Sequence, residues 1–126
     1  MDGNRRVIFS VYQDLGSEVF RQYKDKLRDN QEDYAEKIDV DYFLFEPEGL
    51  DYVGINNFKH EKMRELADEY DEILYLDLDV VTNTDENFFD AIDLSKGIAY
   101  FPQTYDHWGA LRAGFEFTHR SPSVKW

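Results

Sequence analysis

The chain has 126 residues and a formal net charge of −13, a length that suits one globular domain or part of a larger one. The excess of carboxylates disfavours binding to nucleic-acid phosphates and anionic membranes, and the lack of cysteine excludes disulfides and thiolate metal sites. No apolar run resembles a signal peptide or reaches the ~20 residues of a membrane span, so we expect a cytoplasmic protein.

The N-terminal part predicts a strand followed by a helix. Residues 7–12, VIFSVY, are β-branched and aromatic, which is typical of a strand. Ser17 is a candidate N-cap for the helix that follows. This helix is expected to weaken around residues 29–33, so residues 34–37 belong either to it or to a separate turn. Its apolar side chains recur at helical spacing, at Val19, Phe20, Tyr23 and Leu27.

A second strand and helix follow. Residues 40–45, VDYFLF, predict a strand, and the sequence EPEG after it is a turn signal. Asn56 or Asn57 is the expected cap of the next helix. The apolar face of that helix consists of Met63, Leu66, Ala67 and Tyr70, at helical spacing.

The alternation continues to residue 101. Residues 73–76 form a continuous apolar run, typical of a strand buried on both faces of a parallel sheet. A short helix is expected around residues 85–92 and a fourth strand at residues 97–101. This order predicts a Rossmann-like α/β fold with a mainly parallel sheet. We expect residues 1–102 to form this α/β half-domain and residues 103–126 to form an irregular tail.

Two aspartates, Asp77 and Asp79, follow the third predicted strand. Residues i and i+2 of a strand point to the same side, and ligands of open α/β sheets bind at the carboxyl ends of the strands. Two like charges in such a place repel unless a cation lies between them. Mg²⁺ is commonly held by one or two carboxylates together with substrate phosphates. The pair therefore predicts a divalent cation shared with a diphosphate, although a strand-end cap and a solvated loop residue are the alternative interpretation.

Residues 70–81, YDEILYLDLDVV, resemble the Asp-x-Asp segment of GT-A glycosyltransferases. The resemblance is strongest to the family-8-like group related to glycogenin and the bacterial galactosyltransferases. Residues 58–66, FKHEKMREL, also resemble the helix that leads into that segment. The pattern extends over roughly residues 7–101, which is the N-terminal, donor-binding half of such a fold, so the chain is shorter than a full GT-A domain.

The resemblance implies a nucleotide-sugar donor, with a UDP-sugar as the expected choice, and Mn²⁺ or Mg²⁺ as cofactor. Asp77 and Asp79 would bind the metal. It also implies that the end of the first strand contacts the base and ribose and that a basic residue near the second helix assists the leaving group. It further implies that the tail, residues 103–126, is the start of the acceptor-side region. The acceptor and the catalytic residue are not assigned. The implied nucleotide-sugar-binding residues are Ser10, Tyr12, Gln13, Lys59, Leu78, Asp77 and Asp79.

Two other functions fit the sequence. The chain is short enough to be an inactive or truncated fragment that binds a nucleotide-sugar. A haloacid-dehalogenase-like phosphatase also has an apolar strand that ends in Asp-x-Asp, with the first Asp as nucleophile. That motif normally opens its fold, whereas two strand–helix units precede Asp77 here.

Overall fold

The computed structural model of the protein describes residues 5–92 and Gly97. The predicted strand at residues 97–101, apart from Gly97, and the predicted tail at residues 103–126 lie outside this range. The division of the chain at residue 102 therefore stays a prediction.

Three parallel strands form one sheet, as the alternating sequence pattern predicts. They are β1 (Arg6–Val11), β2 (Asp41–Phe45) and β3 (Glu72–Tyr75), in the order β2-β1-β3. Val7 of β1 lies opposite Asp41 on one side and Ile73 on the other. The small α/β fold, with a parallel sheet and flanking helices, is thus confirmed.

Successive residues of β1 point into two separate cores because side chains alternate along a strand. Ile8 packs in a cluster with Tyr34 and Ala35 of the first helix. Phe9 packs in the other cluster, which includes Phe58 and Met63 of the second helix. The central strand is therefore covered on both faces, which explains its nearly continuous apolar sequence.

The first helix, α1 (Glu18–Lys37), is longer and more continuous than predicted. Its predicted N-cap is confirmed, since Ser17 Oγ accepts a hydrogen bond from the Phe20 N–H at 3.1 Å. The expected weakening around residues 29–33 is wrong. Gln31, Tyr34 and Ala35 are buried against the sheet and hold this stretch in the helix, because tertiary packing outweighs local propensity.

The second helix, α2 (Tyr52–Leu66), begins earlier than predicted. Asp51, rather than Asn56 or Asn57, is the N-cap, and its carboxylate accepts a hydrogen bond from the Gly54 N–H at 2.7 Å. The helix ends before Tyr70, which the periodicity placed on its apolar face. A short helix, α3 (Phe88–Ala91), lies within the predicted range of 85–92. Within residues 5–92 we find no helix of the length and hydropathy that a membrane span needs.

Candidate functional site

A cavity of about 300 Å³ opens at the carboxyl edge of the sheet. β1 and β3 are neighbouring parallel strands that end at Val11 and Tyr75, so the segments after them meet at this edge. This is the edge at which open α/β sheets bind ligands. The cavity wall contains six of the residues implicated by the sequence: Tyr12, Gln13, Lys59, Asp77, Leu78 and Asp79.

Ser10 is the predicted site residue that does not line the cavity. Its side chain is fully buried within β1, one position before the strand ends. Its hydroxyl has no hydrogen-bond partner among the residues that the structure describes. The residues that follow in the chain, Tyr12 and Gln13, emerge from the strand and reach the wall.

The carboxylate of Asp77 has two polar neighbours. The Tyr75 hydroxyl donates a hydrogen bond to Asp77 Oδ1 at 2.7 Å. Lys59 Nζ from α2 lies 3.6 Å from the same oxygen, and the side chains of Lys59 and Asp77 are 27% and 43% exposed. Asp79 is exposed. Both carboxylates are therefore accessible from the cavity side to a ligand or ion.

Tyr75 stays a neutral hydrogen-bond donor over the whole physiological pH range. Burial is the main factor that raises the pKa of its hydroxyl, and the negative charge of Asp77 raises this pKa further. Desolvation favours the neutral phenol, and a nearby carboxylate opposes the formation of a second negative charge. The Tyr75 ring also lies beneath Lys59, with Nζ 5.1 Å from the ring centroid.

The backbone that carries the two aspartates is held by a buried amide from α1. Gln31 is fully buried, and its Nε2 donates to the carbonyls of Asp77 and Val80, both at 2.9 Å. The Tyr42 hydroxyl donates to Gln31 Oε1 at 2.8 Å, which turns the amide nitrogen toward these carbonyls. Gln31 was missed at the sequence level. The available signal was a polar residue in the apolar stripe of α1, four residues after Leu27 and three before Tyr34.

Another part of the cavity wall is formed by the segment after β1. Gln13 exchanges two hydrogen bonds with the backbone of Leu50, at 2.6 and 3.1 Å, and so joins this segment to the one that precedes α2. The Tyr12 ring lies 5.5 Å from the Phe20 ring and 5.3 Å from Lys24 Nζ. One side of this ring is thus packed against α1 while the residue still lines the cavity.

The donor atoms of the site fit a divalent cation that is shared with a substrate. Asp77 and Asp79 provide the carboxylate oxygens that Mg²⁺ and similar hard cations prefer, and such ions are usually completed by water and phosphate oxygens. Within residues 5–92 and Gly97, no group of three or more His, Cys, Asp or Glu side chains is placed to hold a metal ion by itself. Two carboxylates beside a cavity therefore suit a cation that a diphosphate helps to bind.

The fold of the chain is similar to that of a solved structure, the crystal structure of a glycosyltransferase involved in the glycosylation of the major capsid of PBCV-1. The TM-score is 0.63 and the sequence identity is 19%, and the alignment covers 96% of this chain and 58% of that chain. No protein-family model and no curated protein matches the sequence. The chain therefore has a glycosyltransferase-like α/β fold and spans less than two thirds of the length of that structure.

Proposed function

We propose that this chain is the donor-binding part of a metal-dependent glycosyltransferase. It would transfer a sugar from a nucleoside diphosphate donor, with a UDP-sugar as the preferred candidate, to an acceptor that remains to be identified. The observation that carries this proposal is the cavity at the carboxyl edge of the sheet, where Asp77 and Asp79 lie in one wall with Lys59. The glycosyltransferase-like fold supports it.

The side chains have complementary roles in this proposal. Asp77 and Asp79 would hold Mn²⁺ or Mg²⁺, and the bound ion would supply positive charge to neutralise the departing diphosphate. Lys59 lies beside Asp77 and supplies a positive charge for a phosphate oxygen. Its ion pair is partly solvent-exposed and hence weak, so a phosphate can compete for the ammonium group at little cost.

Tyr12 and Gln13 are proposed to contact the nucleoside. Both residues line the same cavity as the acidic pair. The packing of Tyr12 on Phe20 holds its ring in a defined place, which suits stacking on a base. The leucine between the aspartates, Leu78, is buried and adds an apolar part of the wall.

A binding fragment without transferase activity is the second candidate. The specific observation in its favour is that the chain spans 58% of the glycosyltransferase structure that it resembles. Such a fragment would bind the same donor through the same residues. The phosphatase alternative receives no support from the comparisons.

The proposal is tested by calorimetric titration with UDP, with and without Mn²⁺, on wild type and Asp79→Ala. We expect Mn²⁺-dependent UDP binding by wild type. Loss of a ligand should weaken it by at least about tenfold, since even outer-shell partners of metal ligands are worth that much. Asp85→Ala is the matched control, because Asp85 is an exposed carboxylate of the same loop and pairs with Lys37 outside the cavity.

The outcomes separate the candidates. Absence of UDP binding by wild type under either condition would refute both the transferase and the binding-fragment proposals. Equal weakening of UDP binding in Asp79→Ala and Asp85→Ala would mean that the change in net charge causes the effect and that Asp79 has no specific role in binding. If UDP binds with Mn²⁺, assays for hydrolysis of UDP-sugars distinguish an active domain from a binding fragment.

A further inference from the structure

Tyr75 lines the cavity and contacts one member of the acidic pair, Asp77. Its side chain is 4% exposed, and its ring packs on Phe9 with centroids 5.1 Å apart. The ring therefore has little freedom to move. Its hydroxyl donates to Asp77 Oδ1 at 2.7 Å, a normal length for a hydrogen bond to a carboxylate.

The hydrogen bond and the ion pair of Asp77 converge on one of its two carboxylate oxygens. Lys59 Nζ lies 3.6 Å from Oδ1, the same atom that accepts from Tyr75. The carboxylate of Asp77 is thus oriented by contacts on one side, and Oδ2 is the oxygen most readily available to a cation. This orientation matters because an unrestrained carboxylate loses rotational freedom when it binds an ion.

We propose that Tyr75 is the positioning residue of Asp77, and that its hydroxyl holds this carboxylate in the orientation in which it binds a divalent cation. The inference depends on the proposed function, because it assumes that Asp77 is a metal ligand. Carboxylates that bind metals are commonly hydrogen-bonded by a second residue, and loss of that partner weakens metal binding about 10- to 100-fold.

A phenol is well suited to this role. Tyr75 adds no charge, so the full negative charge of Asp77 remains available to the cation. Lys59 differs in this respect, since its ammonium group lies 3.6 Å from Oδ1 and offsets part of the negative charge of the same carboxylate. The two neighbours of Asp77 are therefore expected to have opposite effects on metal affinity.

The test compares Tyr75→Phe with Tyr70→Phe. Each substitution removes one hydroxyl that donates to an aspartate and keeps the ring. Tyr70 is 7% exposed and donates to Asp41 Oδ2 at 2.5 Å. Asp41 is the first residue of β2 and lies at the amino edge of the sheet, away from the cavity. Tyr70→Phe therefore controls for the loss of stability that any such hydroxyl deletion causes.

The measured quantities are the affinity for Mn²⁺ in the presence of saturating UDP, the affinity for UDP without metal, and the melting temperature. We expect Tyr75→Phe to bind Mn²⁺ about 10- to 100-fold more weakly than wild type, with metal-free UDP binding unchanged. Tyr70→Phe is expected to leave both affinities unchanged. If Tyr75→Phe proves too unstable to study at 25 °C, the titrations of all three proteins are made at a lower temperature at which each is folded.

Three results would overturn the inference. Equal Mn²⁺ affinity in Tyr75→Phe and wild type would refute the positioning role while the proposed function stands. A parallel loss of metal-free UDP binding would show that the cavity as a whole was damaged. If wild type shows no Mn²⁺-dependent binding of UDP, the proposed function fails and this inference fails with it.

Discussion

At the scale of single residues, Lys59 occupies the most informative position. Its ammonium lies 3.6 Å from Asp77 Oδ1 and 5.1 Å from the Tyr75 ring centroid. In the absence of a cation it is the positive partner of Asp77. Under the proposed function, a metal bound by Asp77 would replace Lys59 as the positive partner of this carboxylate, and Lys59 would be free to approach a phosphate. The proposed function therefore predicts that Lys59 opposes the binding of a bare cation and favours the binding of a nucleotide.

We expect Lys59→Met to change these two affinities in opposite directions. Partly exposed ion pairs contribute about 0.2–1 kcal/mol, so removal of this competitor should strengthen binding of Mn²⁺ alone by a factor of about 1.4 to 5. Binding of UDP without metal should become weaker, because a cationic contact is lost. Both affinities can be measured by calorimetry at low ionic strength, at which charge effects are largest.

Lys62→Met is the control for this experiment. Lys62 is also on α2, lies 4.9 Å from the Phe45 ring centroid, and pairs with Glu65 rather than with the acidic pair of the site. The Lys62→Met substitution changes the net charge by the same amount as Lys59→Met. If both variants shift Mn²⁺ and UDP binding alike, the effect is one of overall charge and Lys59 has no specific role.

At the scale of elements, side chains of α1 hold loop 76–87, the segment between β3 and α3, by hydrogen bonds to its backbone. Asn30 exchanges hydrogen bonds with the backbone of Thr82, at 2.8 and 3.0 Å. Tyr34 Oη donates to the Glu86 carbonyl at 2.6 Å and accepts from the Phe88 N–H at 3.0 Å. With Gln31, these residues lie along one helical stripe, and they satisfy backbone groups of a loop that lacks regular structure of its own.

Gln31→Met is predicted to destabilise the protein strongly. Methionine fills a similar volume but removes the amide donor that the carbonyls of Asp77 and Val80 share, and a buried polar group that loses its partner costs about 1–3 kcal/mol. We expect a loss of at least about 2 kcal/mol in the free energy of unfolding, measured with urea. Faster hydrogen exchange at the Val80 amide, which donates to the Asp77 carbonyl at 2.9 Å, should accompany it.

Gln13→Met provides a comparison, because Gln13 also makes two backbone hydrogen bonds but is only half-buried. Its backbone partners can reach water, so a smaller loss of stability is expected. If Gln31→Met is no more destabilising than Gln13→Met, the buried amide does not hold the loop.

The elements were more predictable than their ends. Strands β1 and β3 were evident from dense apolar runs, and Ser17 from its place before a periodic segment. The start of α2 was not evident from the sequence, because Asp51, Asn56 and Asn57 are all good N-cap residues. The choice among them depends on which side chain reaches a free N–H. The continuity of α1 through residue 33 likewise depends on burial of Gln31, a contact made across 46 residues of sequence.

At the scale of the whole molecule, the order β2-β1-β3 brings together residues that are far apart in the chain. The sequence pattern predicted that Asp77 and Asp79 follow the end of a strand. General rules for α/β sheets predicted a ligand site at that end. Residues such as Tyr12 and Lys59 were associated with the pair by resemblance alone. Their position around the same cavity follows from strand order and helix packing, which local sequence does not encode.

Three tyrosine hydroxyls make the stability of the molecule sensitive to alkaline pH. Burial raises the pKa of Tyr42 and Tyr75, and the hydrogen bond to Asp41 raises the pKa of Tyr70 to about 12. An unfolded tyrosine titrates near pH ~10. The unfolded state therefore loses these protons first, so their contribution to stability is complete below pH about 10 and decreases as the pH rises from there toward 12.

We expect the free energy of unfolding to fall steeply above pH about 10, which urea titrations at a series of pH values would show. Tyr70→Phe should make this fall less steep, since it removes one of the groups that titrate differently in the two states. An unchanged slope in this variant would contradict the raised pKa of Tyr70.

The two hydrogen bonds between Gln13 and Leu50 have a consequence for the free energy of ligand binding. They tie the segment after β1, which lines the cavity through Gln13, to the segment before α2, 37 residues further along the chain. This side of the cavity is therefore preorganised, and the conformational entropy of ordering it is lost once, when the chain folds. A ligand would not have to order this wall when it binds. The free energy of its contacts with the wall would therefore contribute to affinity without that entropic cost.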